Sequence, residues 1–227
     1  MKKIIVLGVL LISVAVCGQQ ELRNKFGDVY YAANLYKTNY NTFEGTPYLN
    51  EEFTPAKIND VSETKLVRFD AFEDRVEIRV SANKVVILQA SEPYVISLLD
   101  GSDRIFETKK SLDEKGNTTT TFFELIANQR DYKLYLKEKI KFYKAKKAQG
   151  YDKAKPATFK KQHAAYYFTD FKTPSDQLIR IPTKVKSFVA FFPNSSKPVK
   201  KFIKDNKLKI DIGDDLVKIF DFYFDNN

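Results

Sequence analysis

An alternating stretch between Thr64 and Leu99 constrains the fold of this chain more than any other feature. Successive side chains of a strand point to opposite faces of a sheet, so each alternating run has one apolar face and one solvent-facing face. The apolar positions are Val67, Phe69, Ala71, Val76, Ile78 and Val80, and the polar ones are Arg68, Asp70, Arg75, Glu77 and Arg79. The polar link Glu73–Asp74 between the runs predicts an antiparallel hairpin.

Short strand patterns separated by turn signals continue as far as Pro182. Further strands are predicted over 104–108, 118–127, 132–137, 164–169 and 177–182, with turns at 100–103, 113–117, 128–131 and 173–176. Strands and turns at this close spacing are typical of a sandwich, a barrel or an open curved meander, and argue against βαβ units.

Three short helices are predicted after the last strand. The first carries Val185, Phe188, Val189 and Phe192 on one face, with Thr183 as its cap. The second is predicted over 198–206 and the third over 214–224, where acidic residues at the start suit the helix dipole. The fold class is therefore α+β: an antiparallel β-meander, either an open curved sheet or a partial barrel, followed by short C-terminal helices. We expect a β domain over 45–182 and helices over 183–227 packed on it.

The first 18 residues have the features of a secretory signal peptide. Two lysines precede an apolar run over 4–16, which is too short to span a membrane comfortably. Cleavage after Gly18, with Gln19 as the new N-terminus, is favoured because Val16 is a poor residue to precede a lipidated cysteine. A lipoprotein anchored through Cys17 is the alternative.

Either interpretation predicts an exported protein in the periplasm or at the outer membrane. Cys17 is the chain's single cysteine, so the mature fold has no disulfide. No second apolar segment of spanning length follows the leader, which predicts no transmembrane segment in the mature chain. Residues 19–44 are expected to form an N-terminal arm or a first strand.

The residues needed for common catalytic and metal sites are scarce. His163 is the single histidine, and with no cysteine in the mature chain the usual zinc and transition-metal sites are not expected. The eight glycines form neither a phosphate-binding loop nor a dinucleotide fingerprint. We therefore predict no catalytic, cofactor or metal residues. The one carboxylate group that could support hydrolysis is Asp70, Glu73 and Asp74, for which solvated turn charges are the simpler interpretation.

The formal net charge is +9, and lysines concentrate in a predicted exposed loop over 144–162. The aromatic residues Phe142, Tyr143, Tyr151 and Phe159 interleave with lysines here, a pattern that suits an anionic membrane surface or a partner, and a solvated loop is the simpler interpretation. Arginine, which recognises phosphate more specifically, is absent from 137–161, and an exported chain rarely meets nucleic acid. The candidate contact residues are Lys141, Lys144, Lys146, Lys147, Tyr151, Lys153 and Lys155.

Three segments carry a resemblance to a known group of proteins: 45–53, 67–77, and the ending formed by 202–210 and 215–223. They resemble a family of small exported proteins of Bacteroidota, especially flavobacteria. Members show a Gly-Ser/Thr-Pro-Tyr segment, an Arg-Tyr-Asn-like strand before Asp-Glu and a closing Leu-Ile-Lys-Leu-like helix. This chain has Arg68-Phe69-Asp70 in place of Arg-Tyr-Asn. The resemblance covers most of 45–224, implies an envelope location and one domain, and brings no catalytic residue with it.

These observations leave three functions open. The leading hypothesis is a non-enzymatic exported protein that acts as a subunit or adaptor of an outer-membrane or periplasmic assembly. The alternative is a carrier of a lipid or another amphiphile in the concave face of the meander. The second alternative is a carboxylate-dependent hydrolase. The partner, the ligand and the oligomeric state stay open at this point.

Overall fold

The computed structural model describes residues 43–226 apart from 60, 89, 91, 114–115, 150–152, 172–176 and 193, together with the backbone of two strands near the N-terminus. The described strands are β1 (Glu21–Arg23), β2 (Val29–Tyr31), β3 (Thr54–Ile58), β4 (Lys65–Asp70), β5 (Arg75–Ser81), β6 (Lys84–Leu88), β7 (Val95–Leu98), β8 (Ile105–Leu112), β9 (Thr118–Asn128), β10 (Tyr132–Lys137), β11 (Ile140–Tyr143), β12 (Thr158–Lys161), β13 (Ala165–Asp170) and β14 (Gln177–Arg180). The helices are α1 (Val185–Ala190), α2 (Ser196–Asp205) and α3 (Gly213–Asp225).

Several sequence predictions fall outside the described residues. These are the signal peptide 1–18, with Cys17 and the cleavage site at Gly18 and Gln19, and also Tyr151 and the turn at 173–176. Of the predicted arm 19–44, the structure describes β1, β2 and residues 43–44. Strand β2 pairs with β6 on one side and with β1, the edge strand of the sheet, on the other.

The hairpin predicted from the alternating pattern is confirmed as β4 and β5. The two strands pair antiparallel, with Val67 opposite Ile78 and Phe69 opposite Val76. In the link, Asp74 has a φ of +57°, a left-handed conformation that aspartate tolerates better than most residues. Strands β3 to β7 extend this hairpin into an open sheet, and β7 joins it to β8.

Strand β8 is where the open sheet becomes a barrel. One edge of β8 pairs first with β7 and then, further along, in parallel with β14, where Leu178 lies opposite Ser111. The other edge pairs with β9, and the ring closes through β10, β13 and β14. The antiparallel meander is thus confirmed with one exception. The first and fifth of five alternating strands run in the same direction, so the contact that closes the ring is parallel.

Three apolar clusters fill the fold. The open sheet is packed around buried side chains that include Val67, Ile78 and Phe106. The barrel interior holds Phe123, Tyr135, Tyr167 and Leu178. The third cluster joins the helices to β10 and β13, and its fully buried members include Phe188, Val199, Leu216 and Phe220.

The three C-terminal helices are confirmed, with small differences at their ends. Thr183 was expected to cap α1, but this prediction is wrong: Lys184 stands at the cap with extended backbone, and no side chain there bonds to the helix. Helix α3 carries Asp214 and Asp215 in its first turn, as the acidic start of the pattern predicted. None of the helices in the described part of the chain has the length and apolar character needed to cross a bilayer.

Candidate functional site

The lysine-rich segment leaves the sheet on a pair of strands, and the exposed loop predicted over 144–162 lies between them except at its end, where Thr158–Lys161 form β12. Strands β11 and β12 pair antiparallel, with Lys141 opposite Lys160. Further out, Lys146 and Lys155 exchange two backbone hydrogen bonds of 2.8 Å in the same register. We call the segment from Ile140 to Lys161 the lysine arm. The sequence pattern hid the second strand because lysines occupy both faces of the ribbon.

Four phenylalanines anchor the base of the lysine arm to the β4–β5 turn and to the start of the described chain. Phe142 and Phe159 lie 4.9 Å apart between ring centroids. Phe43 contacts both rings, at 5.2 and 6.0 Å, and Phe72 does so at 6.3 and 5.3 Å. Phe142 and Phe159, which were considered for contact with a membrane surface, instead pack at the base and hold the arm in place.

A backbone contact fixes the same base from its other side. The amide of Phe159 donates to the carbonyl oxygen of Glu44 at 2.8 Å, and the amide of Glu44 donates to the carbonyl of Ala157 at 3.0 Å. Gly45 follows at a φ of +74°, and a Cβ there would lie 2.5 Å from the carbonyl oxygen of Phe159. Glycine is therefore required where the chain passes the arm.

The outer half of the lysine arm is exposed. Side chains are exposed at every described position from Lys144 to Gln149 and from Lys153 to Pro156. Within the described residues, no carboxylate lies within ion-pair distance of the amino groups of the candidate lysines 141, 144, 146, 147, 153 and 155. The structure thus brings the predicted lysines together on one projecting element.

Tyr143 and Lys160 also belong to this site, although they were not among the candidate contact residues. The amino groups of Lys141 and Lys160 lie 5.5 and 5.9 Å from the ring centre of Tyr143, whose side chain is exposed. This pairing needs the strand register, which the sequence did not reveal. Lys161 differs from its neighbours because its amino group pairs with Glu138.

The carboxylates considered for hydrolysis lie in a different arrangement from the predicted one. Asp70 was expected on the solvent-facing side of β4, but it is 1 % exposed. Its Oδ1 accepts hydrogen bonds from the amides of Phe72 at 3.1 Å and Glu73 at 2.9 Å, while Oδ2 lies 3.2 Å from Nε of Arg75 without hydrogen-bond alignment. Burial raises the pKa of Asp70. Glu73 is an exposed turn residue, and Asp74 pairs with Lys137.

The side chains of Tyr48 and Phe53 lie over Arg68 on the second face of the β4–β5 hairpin. The guanidinium of Arg68 lies 3.7 Å from the ring centre of Tyr48 and 4.4 Å from that of Phe53. The same group donates to Oε2 of Glu77 from Nε at 3.2 Å and from Nη2 at 2.7 Å. Glu77, also predicted to face solvent, is 1 % exposed. Arg68, held by Glu77, therefore links the sheet to the segment that carries Tyr48 and Phe53.

A third buried carboxylate lies in the barrel. Glu107 accepts a hydrogen bond of 2.8 Å from the hydroxyl of Tyr135 and ion-pairs with Lys109 at 3.0 Å and Lys133 at 3.4 Å. Burial by itself would raise the pKa of this carboxyl, but the hydrogen bonds from Lys109 and Tyr135 outweigh it and hold the pKa below its ordinary value. The pKa of Tyr135 is raised by its burial and by the Glu107 charge.

Replacing Glu107 with glutamine is expected to lower the free energy of unfolding by about 2 kcal/mol near neutral pH, because hydrogen bonds to a charged group contribute roughly 1.5–3 kcal/mol. A lowered folded-state pKa stabilises the fold above the ordinary carboxyl value of 4.5, and this contribution is lost as the pH falls through the folded-state value. Urea unfolding of both proteins from neutral pH to about pH 3 should show their difference shrinking at the acidic end. A difference independent of pH would contradict this role.

The barrel opens to the surface through a shallow groove of about 320 Å³, which is lined by Leu112, Tyr167 and the four residues of β14. It bears on the carrier hypothesis because an amphiphile needs an apolar space. Behind the groove, the rings of Phe123 and Tyr167 lie 4.9 Å apart and occupy the interior. These buried rings occupy part of the barrel interior next to the groove.

The lysine arm is the part of the described chain with the clearest chemical character: clustered exposed cations on a firmly anchored element. The described residues contain no group of three or more His, Cys, Asp or Glu side chains placed to hold a metal ion. No family model, curated protein or solved structure matches this chain. The function therefore has to be inferred from the chemistry of its surfaces.

Proposed function

We propose that this chain is an exported envelope protein that works by binding, as a non-catalytic subunit or adaptor of a periplasmic or outer-membrane assembly. Its lysine arm is the contact, and the partner is a protein with an acidic cleft. The observation that carries the proposal is a cluster of six lysines on a projecting, anchored ribbon with no carboxylate of the described residues beside them. A positively charged surface of this kind attracts a partner of opposite sign.

The distribution of the lysines supports a cleft over a flat surface. In the register of the arm, Lys144, Lys146 and Lys155 share one face of the ribbon, and Lys141 and Lys160 share the other. A flat surface would meet one of these faces and leave the other in water. An acidic cleft that receives the ribbon neutralises both.

The anchored base supports the same role. The Phe43, Phe72, Phe142 and Phe159 rings fix where the ribbon leaves the body, so less freedom is lost when a partner binds. An isolated two-stranded ribbon is marginally stable in water. Contact with a partner would stabilise the outer half, whose described side chains from Lys144 to Gln149 and from Lys153 to Pro156 are exposed.

The predicted leader supports the location. The positive start, the short apolar run and the small residue at Gly18 suit export, with Gln19 as the mature N-terminus. Mass spectrometry of the mature protein is expected to find that N-terminus. An acylated Cys17 would instead assign the protein to the lipoproteins, and an intact leader would contradict export.

The proposal is tested by photo-crosslinking in the cells that produce the protein. A photoreactive amino acid at Ala145 or Ala148, both exposed in the arm, is expected to give one discrete protein adduct. The same amino acid at Ser102, in an exposed turn, should not give it. Mass spectrometry would identify the partner and show whether its contact surface is acidic.

A charge-reversed arm provides the matched comparison. Lys144→Glu, Lys146→Glu and Lys155→Glu together should abolish the adduct, because charge pairs across an interface set both encounter and specificity. The same reversal at Lys57, Lys84 and Lys110, which are exposed on strands of the sheet outside both basic segments, changes the net charge equally and should leave the adduct unchanged. No adduct from either arm position, or an adduct that survives reversal of the arm, would overturn the proposal.

A further inference from the structure

A second basic surface lies on helix α2 and has a different geometry from the lysine arm. Its four lysines are Lys197, Lys200, Lys201 and Lys204, all exposed. Positions i, i+3, i+4 and i+7 of an α-helix lie in one stripe along one face, here about 10 Å from end to end. We call this stripe the lysine face. All four ammonium groups can therefore meet one flat surface together.

The opposite side of α2 is fixed to the body. Val199 is fully buried in the helical cluster. The ring of Phe202 stacks on that of Phe222 of α3, with centroids 4.1 Å apart and planes within 5°. Because these contacts set the rotation of the helix, the lysine face has a defined direction.

The surroundings of the lysine face add to its charge. Lys184, Lys186, Lys207 and Lys209 are exposed nearby in sequence, and Asp205 is the single acidic residue between positions 184 and 209. Within the part of the chain that the structure covers, none of these lysine amino groups ion-pairs with a carboxylate. The lysines are therefore not used to hold the fold.

The spacing of the lysines on α2 lowers the stability of the helix itself. Like charges three and four residues apart repel each other. Lys197 lies in the first turn, where the helix dipole disfavours a cation, and no acidic residue stands there to compensate. An anionic surface against this face would relieve both effects.

We propose that the lysine face of α2 docks on the surface of an anionic phospholipid bilayer. A stripe on one side of a helix suits a plane, and compact, strongly hydrated ammonium groups suit mobile lipid phosphates. Phe202 and Ile203 belong to the helical cluster and point away from this face, so the contact is electrostatic and does not insert. This inference is independent of the protein partner proposed for the lysine arm.

The test is flotation of the purified chain with lipid vesicles. Vesicles of phosphatidylcholine with about one third phosphatidylglycerol are expected to bind the protein, and pure phosphatidylcholine vesicles are not. Replacing Lys197, Lys200, Lys201 and Lys204 with glutamine should weaken binding by about a hundredfold or more, given the contribution of each lysine at an anionic membrane. Raising the salt should weaken binding of the parent protein steeply.

The matched control removes the same charge elsewhere. Glutamine at Lys144, Lys146, Lys147 and Lys155 of the lysine arm should change vesicle binding by less than about threefold. Both variants should unfold at or above the parent temperature, since these lysines are exposed and none of them ion-pairs with a carboxylate of the described residues. Equal weakening by both variants would mean diffuse attraction to net charge and would overturn the proposal. So would full binding by the α2 variant, or binding of soluble polyphosphate with no flotation.

Discussion

Replacing Glu77 with glutamine is expected to lower the free energy of unfolding by about 3 kcal/mol. This carboxylate is fully buried and accepts two hydrogen bonds from Arg68, while Nη2 of Arg75 lies 3.5 Å from its other oxygen. Removing one member of a buried ion pair leaves its partners uncompensated, which costs roughly 3–5 kcal/mol. We expect the lower end because both arginine side chains keep some contact with water, at 20 and 25 % exposure.

Urea unfolding at neutral pH would measure this loss for Glu77→Gln. The control is Glu73→Gln, at an exposed carboxylate in the same hairpin, which should change stability by less than about 0.5 kcal/mol. Combining Glu77→Gln with Arg68→Met should cost clearly less than the sum of the two single changes, since each single change strands the other partner. A Glu77 variant as stable as the parent protein would show that the network is dispensable.

Replacing Phe220 with alanine is expected to cost about 3–5 kcal/mol, the usual range for a large aromatic side chain removed from a core. Phe220 is fully buried at the centre of the helical cluster. Its ring centroid lies 5.0 Å from that of Phe168 on β13, 5.2 Å from Phe192 and 5.5 Å from Tyr132 on β10. The truncation therefore leaves a cavity between the barrel and the helices.

The helices should loosen before the sheet does in this variant. Limited proteolysis is expected to cut the Phe220→Ala protein first between 183 and 212, while fragments containing the β4–β5 hairpin persist. Val185→Ala, at a half-exposed apolar position on α1, is the matched control and should remain near the parent stability. An unfolding midpoint equal to that of the parent would contradict a joint core of barrel and helices.

The two basic surfaces differ in the shape of the partner surface that each can contact. The lysine arm carries its charges on both faces of a ribbon, whereas α2 carries them on one face of a docked helix. A cleft suits the first geometry and a plane suits the second. An adaptor that holds a protein partner near a membrane needs both kinds of contact, and separate readouts test them.

The candidate site could be predicted in its composition but not in its form. The run of lysines was evident from the sequence, and so was the exposure of Lys144, Lys146, Lys147, Lys153 and Lys155. The strand pairing was not, because lysines on both faces of the arm remove the alternation that marks a strand. The lysine face of α2 was not predicted: the helix begins at Ser196 and so includes Lys197, and the contacts of Val199 and Phe202 show which side is fixed.

The sequence by itself determined the local elements of this protein. Alternation at Val67, Phe69, Val76 and Ile78 sets the hairpin, because the direction of a strand side chain depends on its own backbone. The spacing of apolar residues after Thr183 sets the three helices in the same way.

The tertiary structure alone decided what covers each face and where the sheet closes. Asp70 and Glu77 alternate like solvent-facing residues, but both are buried: the rings of Tyr48 and Phe53 lie on the Arg68 guanidinium that pairs with Glu77, and the turn amides bind Asp70. The barrel closes where Leu178 meets Ser111, a contact between residues far apart in the chain. Alternation tells which residues share a face. What packs against that face depends on segments far away in the chain, which local periodicity cannot predict.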